Sequence, residues 1–445
     1  MKHTLTIISV MLFVLSMIMP AYAIEHQLGG DLRFRAFTEG NFDGNDKTAE
    51  DRAQADSRTH LKYTAKINED FAVYTKFRID SVWGKKDDPG VSGANAAEMK
   101  LMVSYIDFKI GEANFIIGKQ DFYEARGNLL YDSAPGISII CPLSDQFTLN
   151  AKWIRFGEGD GGGNHVHHDF DTFALTPTLK LSDNLSIKPY FWYVTSNELK
   201  AAVRTWDLQF TEKTDGNNLD VQKISDLDLY YIGFDFDASL DPLSIWFTAL
   251  YQTGSANLAE SLANNTTYGS VDFSAIAALG GGSINFGKTT LAGQLFYASG
   301  DGDLNDNEYE QFIAPEAGYY YWSEIMGLGY NDYAAPQNMN YALKNIMGGG
   351  GTATICATDD ITLTFGLWYA AAVEDFRGKN GIVEADDYGT EIDAIMNYSL
   401  MDNLTVTLIG AYVMAGDAIT EENVEGADID GANPYFVQAQ IKASF

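Results

Sequence analysis

The sequence predicts an all-β chain, folded as a transmembrane antiparallel up-and-down β-barrel of about 18 strands. Three observations predict it. The chain opens on an export leader. Its polar turns sort into a short and a long class. Its final stretch, Pro434–Phe445, is a two-faced strand that stops on an aromatic residue.

The leader comes first. Lys2 and His3 precede an apolar run from Leu5 to Met19, and Ala21-Tyr22-Ala23 is an A-x-A cleavage site. The run is too short to span a bilayer. Residues 1–23 therefore read as a signal peptide, excluded from the fold. Residues 24–445 then form one barrel domain. No later segment has the roughly 18 unbroken apolar residues of a membrane helix. Alternation hides a barrel's hydrophobicity, so a mean hydropathy of -0.14 is compatible with a membrane protein. The 25 Tyr and 26 Phe can supply rings for two membrane interfaces. The two cysteines, Cys141 and Cys356, are expected as free thiols on distant strands. A net charge of -32 argues against nucleic acid as a partner.

The strands follow from period-two alternation. Leu28, Leu32 and Phe34 oppose Asp31, Arg33 and Arg35. Leu61, Tyr63, Ala65 and Ile67 oppose Lys62, Thr64 and Lys66, and Phe71, Val73, Phe77 and Ile79 oppose Tyr74, Lys76, Arg78 and Asp80. Tyr388, Ile392, Ala394, Met396 and Tyr398 oppose Glu391, Asp393 and Asn397. Eight tight turns punctuate the chain: Asn68-Glu69-Asp70, Gly111-Glu112, Ser144-Asp145, Ser182-Asp183-Asn184, Asp241-Pro242, Gly287-Lys288, Asp359-Asp360 and Asp402-Asn403. Asp, Asn, Gly and Pro are turn formers. Longer polar loops are expected at 40–53, 85–98, 121–138, 158–168, 197–226, 256–270, 301–343, 377–386 and 416–434. Short turns on one side and long loops on the other give about 18 strands, with 16 as the alternative if one turn is misread.

Charge concentrates at the N-terminal end. A charge facing lipid at midplane costs about 2–4 kcal/mol, so strand charges should face the lumen. Arg33, Arg35, Arg58, Lys62, Lys66, Lys76 and Arg78 would then form a basic ladder on one wall. At this strand number the lumen is too wide for wall side chains to fill, which implies a water-filled pore.

Other signals are weaker. His165, His167 and His168 could chelate a metal, but no matching ligand lies at a suitable spacing, so no metal is expected. Asp301–Asn307 alternates oxygen ligands but lacks the glycine and glutamate of a calcium hand. Tyr319-Tyr320-Tyr321-Trp322 reads as loop packing, an interfacial belt or a stacking surface. There is no Gly-x-Ser-x-Gly, His-Glu-x-x-His or phosphate loop, so neither enzyme activity nor a cofactor is expected.

The leader, the turn register, Gly118-Lys119-Gln120 and the terminal Phe445 together resemble Gram-negative outer-membrane porins. In size the chain is similar to the larger types: maltoporin-like, basic-amino-acid and alginate-export porins. The resemblance implies an integral outer-membrane channel for passive diffusion of small hydrophilic solutes or ions. It implies contact with lipid and lipopolysaccharide, insertion by the barrel assembly machinery, and a homotrimer. It also implies that the third loop, Asp121–Ser138, folds inward and constricts the pore. Asp121, Glu124 and Asp132 would be its acidic side, with Arg126 among them, facing the ladder. The alternative reading is a structural or sheath-type barrel around a partner protein.

Overall fold

The structure is a computed structural model. It describes residues 24–44, 51–84, 98–157, 169–196, 224–258, 270–302, 306–315, 318–329, 339, 343–375, 377–378, 381–382, 385–420 and 431–445. The leader and the histidine cluster lie outside the described residues, as do residues 303–305 of the acidic run.

Eighteen antiparallel staves close on themselves. They are β1 (Glu25–Gly40), β2 (Arg52–Asn68), β3 (Phe71–Val82), β4 (Glu98–Ile110), β5 (Ala113–Glu124), β6 (Leu130–Pro142) and β7 (Phe147–Gly157). The eighth stave is interrupted, as β8 (Phe170–Leu175) and β9 (Thr178–Ser182). Then come β10 (Leu185–Ser196), β11 (Ile224–Leu240), β12 (Leu243–Leu258), β13 (Ser270–Phe286) and β14 (Thr289–Ala298). A short β15 (Glu308–Tyr309) lies in the following loop. After it come β16 (Ile346–Cys356), β17 (Ile361–Ala371), the small hairpin β18 (Arg377–Gly378) and β19 (Gly381–Ile382), β20 (Asp387–Met401), β21 (Leu404–Ala415) and β22 (Tyr435–Ser444).

Closure is made by β22 against both β21 and β1, with Phe34 opposite Ile441 and Arg35 opposite Gln440. All eight tight turns fall between paired strands. Closure leaves the wall without a free edge strand, as lipid demands.

The alternation sorts as the two media require. Leu28, Phe34, Ile117, Ile232, Leu295 and Ile441 stand exposed on the outside. Phe286, Tyr398 and Phe445 lie near the short turns, and Trp83, Tyr230, Tyr251, Tyr369 and Tyr412 lie toward the loops, all exposed. These are two aromatic girdles of the kind membrane barrels carry. Gln438 and Gln440 are buried on the inner face of β22, while Val437 and Ile441 face out. Cys141 and Cys356 are free thiols on β6 and β16.

One expected loop is not a loop. Residues 121–138 continue as strand: β5 runs to Glu124 and β6 begins at Leu130. Only 125–129 connect them, through one 3-10 turn in which Arg126 and Gly127 have positive φ (56° and 89°). The Asp, Asn and Gly residues that suggested a loop sit within a paired hairpin and its tip. Phe122 and Glu124 alternate with Asp121 and Tyr123 in burial, as strand residues do.

Candidate functional site: the lumen constriction

The hairpin leaves the wall. β5 pairs with β4 only from Ala113 to Lys119, and β6 pairs with β7 only from Gly136 to Pro142. Between them, Gln120 to Ala134 pair only with each other. This free hairpin lies inside the barrel, and its two faces differ. Phe122, Glu124, Leu130 and Ala134 are buried, whereas Tyr123 and Tyr131 are exposed.

The buried face is docked by charge and hydrogen bonds. Glu124 accepts from Lys152 Nζ on β7 and from Lys188 Nζ on β10 at 2.8 Å. Lys152 also donates to Thr176 at 3.0 Å. The Ala125 amide donates to Tyr190 Oη at 3.0 Å, and that hydroxyl donates to Asp235 at 2.5 Å. Asp235 also accepts from Thr248 at 2.6 Å, and Thr248 accepts from Arg126 Nε at 3.1 Å. Arg126 pairs with Asp237 at 2.8 Å and lies over the Trp246 ring at 4.5 Å. The tip is thus fixed against β10, β11 and β12.

A second segment enters the lumen from the loop between β14 and β16. Phe312 packs on Tyr231, and the Ile313 amide donates to Gln252 at 3.0 Å. The Tyr319 amide donates to Gly127 O at 2.9 Å, and the Leu343 amide to Asn128 at 3.3 Å. Farther on, Glu391 of β20 accepts from Ser323 Oγ (2.7 Å) and from the amides of Ile325 (2.6 Å) and Met326 (2.8 Å). Two inserted segments therefore meet at Gly127. A Cβ there would stand 2.2 Å from Tyr319 O, so only glycine admits the contact.

The sequence-predicted residues divide. Asp121 approaches the ladder, 3.5 Å from Lys76 Nζ. Glu124 does not face the ladder, because it is buried against two other lysines. Arg126 turns to Asp237, away from the ladder. Asp132 is exposed and caps the amide of Ser133. The ladder residues share the inner face but carry their own counter-charges. Arg35 pairs with Asp56 at 3.0 Å and Arg33 with the same carboxylate at 3.6 Å. Arg58 and Arg78 both pair with Asp80, at 2.7 and 2.9 Å. Lys62 lies 3.9 Å from Asp31, which also accepts from His60. Lys66 is exposed at the turn end. The wall is a lattice of both signs rather than a bare basic strip.

Residues that sequence reasoning left out of the site join Arg126 and the tyrosine run to complete it. Tyr123, Tyr131, Tyr319, Tyr320, Tyr321, Trp246, Gln294 and Arg126 line a cavity of about 560 Å³. Tyr131 meets Tyr321 edge-on at 5.8 Å, and Tyr319 stacks on Tyr321 at 6.2 Å. Burial pushes the Tyr320 phenol well above its ordinary range, so it stays a neutral donor to Gln294 at 2.9 Å. The tyrosine run is therefore interior packing and cavity lining, not an interfacial belt. Trp368, Glu391 and Asp393 also face inward; the inward alternation of β20 in the sequence was the signal that could have found the two acids.

Solved structures share this fold. Pseudomonas aeruginosa OccK8 (OprE) superposes with a TM-score of 0.57 at 9% identity, over 95% of this chain and 98% of that one. The outer membrane protein OpdK of Pseudomonas aeruginosa gives 0.56 at 8% identity, with 95% and 98% covered. Acinetobacter baumannii OccAB1 gives 0.55 at 11% identity, with 94% and 97% covered. No family model matches the sequence, and no curated protein matches it. The chain has the fold of an integral outer-membrane β-barrel of 18 strands.

Proposed function

We propose that this chain is an outer-membrane porin, a passive diffusion channel for small hydrophilic solutes or ions. One observation carries the reading: the hairpin Gln120–Ala134 leaves the wall and lies in the lumen, with Asp121 reaching Lys76 of the ladder. Charges of both signs across a narrow passage make a transverse field that orients dipolar solutes. The same inserted segments occupy space that a sheathed partner would need, which favours a channel over a sheath-type barrel.

Small carboxylates are the proposed solutes. Arg33, Arg58, Lys62, Lys76 and Arg78 line the water side, and Arg126 stands among tyrosines. OpdK has been solved with vanillate, a carboxylate, at a TM-score of 0.55 and 10% identity. Lipid and lipopolysaccharide contacts, insertion by the barrel assembly machinery and a homotrimer belong to the same proposal. The test is purified protein in a planar bilayer under a salt gradient. Stepwise conductance with a reversal potential on the anion-selective side is expected. A barrel that inserts but stays electrically silent would refute the channel.

A further inference from the structure

From β12 to β17 the inward strand residues carry no charge, whereas those of β1–β3 are ionic. Strand register sets Trp246, Gly281, Gln294, Gly350 and Trp368 side by side on neighbouring strands. A Cβ on Gly281 would stand 2.6 Å from the Trp246 ring, and one on Gly350 2.5 Å from the Trp368 ring. Bare backbone lets each indole lean over the wall toward Gln294, one from each side. The next inward row is small: Ser283, Ala292, Thr352 and Gly366. Tyr321, Trp322 and Ser323 of the inserted segment complete a recess of about 460 Å³ over this floor. It shares Trp246, Gln294 and Tyr321 with the tyrosine cavity beside it.

Neutral polar groups here lack partners. Tyr320 donates to Gln294 Oε1 at 2.9 Å, which leaves Nε2 of the same amide to donate. Among the described residues that Nε2 has no partner, and neither have the hydroxyls of Ser283 and Thr352. Tyr321 is 41% exposed, so part of its ring is open to the lumen.

The charges around the recess select against ions. No lysine, arginine or histidine lines it, and Glu324 and Asp393 border it, so a carboxylate solute would be repelled. Asp393 is hydrogen-bonded to Glu391 and Trp368 and offers no bare charge to a cation. A neutral solute remains. Aromatic rings beside unpaired amide and hydroxyl groups match a molecule with apolar faces and a hydroxylated edge. A pyranose is such a molecule: its C–H bonds meet the negative face of an aromatic ring, and its hydroxyls both donate and accept.

We infer that this recess binds a neutral sugar ring, stacked on Tyr321 between the Trp246 and Trp368 walls and hydrogen-bonded by Gln294 Nε2, Ser283 and Thr352. The site is separate from the basic ladder and does not require that the barrel conduct.

The full chain in micelles of an amine-oxide detergent, which carries no sugar headgroup, is titrated with D-glucose. Tryptophan fluorescence is the readout, and glycerol at equal osmolality is the control. A saturable change with glucose alone is expected. Sodium glucuronate, the same ring bearing a carboxylate, should bind severalfold more weakly. Gln294→Ala should raise the glucose midpoint roughly fivefold and Tyr321→Ala roughly tenfold, through loss of one hydrogen bond and of one ring face. Heat-modifiable gel mobility checks that each variant is a folded barrel; if neither is, Thr352→Val, which keeps the shape of the wall, should still raise the midpoint about threefold. No saturation, an equal response to glycerol, glucuronate binding as tightly as glucose, or an unchanged midpoint in a folded variant would overturn the assignment. A silent bilayer recording would leave this binding intact, and anion-selective conductance without it would leave the channel intact, so the two readings fail separately.

Discussion

Replacing Glu124 by Gln should loosen the inserted hairpin without unfolding the barrel. Glu124 is the one carboxylate between two ammonium groups, with side-chain exposures of 5% for Glu124, 11% for Lys152 and 26% for Lys188. Breaking a buried pair by removing one partner costs about 3–5 kcal/mol, because a charge is left behind. Lys188 is a quarter exposed and can rehydrate, and Thr176 still accepts from Lys152. The loss should therefore sit near the low end, about 3 kcal/mol. At about 1.4 kcal/mol per tenfold, the balance moves roughly a hundredfold toward the undocked hairpin. The wall strands keep their ladders, so assembly should persist. Single-channel recording should show new excursions to a larger conductance and higher open-channel noise. Adding Lys152→Met removes the stranded charge and should suppress most of that noise. Parent-like current and noise in Glu124→Gln would refute this account of the docking.

Three further changes probe other parts of the lumen. Lys76→Glu places a second acid beside Asp121, 3.5 Å from the original ammonium, and should move the reversal potential toward cations, with the permeability ratio falling by roughly severalfold. Glu391→Ala strands three buried donors from the inner segment; at about 1 kcal/mol each, some 3 kcal/mol of anchoring is lost, and mean conductance should rise, less so for Glu391→Gln. Deleting Phe445, which closes a backbone pair with Gly30 at 3.0 and 2.9 Å, should lower the yield of assembled barrel while leaving the conductance of surviving channels unchanged.

The wall was largely legible because each of its rules is local. Period-two alternation assigned faces, turn residues assigned strand ends, and Pro434–Phe445 showed its role through its own pattern. The failure at 121–138 is local too. The Asp, Asn and Gly residues there read as loop because they are turn formers. Here β6 joins β7 only from Gly136 onward, so Asp132 and Pro135 sit where that neighbouring strand makes no demand. A strand that leaves the sheet tolerates residues that a wall strand rejects.

The lumen was less legible because its contacts are remote in sequence. Nothing near Gly127 points to Tyr319, and nothing near Ser323 points to Glu391. The ladder misled in a different way. Asp31, Asp56 and Asp80 occupy the same alternating positions as the bases they pair with. Counting bases alone turned a mixed lattice into a positive wall.

The inner face still encodes where water runs. An 18-stranded wall cannot fill its lumen with wall side chains. Toward the loop ends of β10 and β11, and along β13, many inward residues are apolar: Trp192 and Val194, Leu229 and Tyr231, Phe273 and Leu279, all buried. Their outward neighbours Phe191, Ile232 and Ile276 are apolar and exposed. A membrane strand apolar on both faces has no water on its inner side, so something must cover it. The hairpin tip and Phe312, Ile313 and Tyr320 are that cover. On β1, β2 and β3 the inner face is ionic, and apolar cover would strand those charges. In the proposed channel the ionic route therefore lies on the β1–β3 side, between the ladder and the exposed face of the hairpin that carries Asp121, Tyr123 and Tyr131.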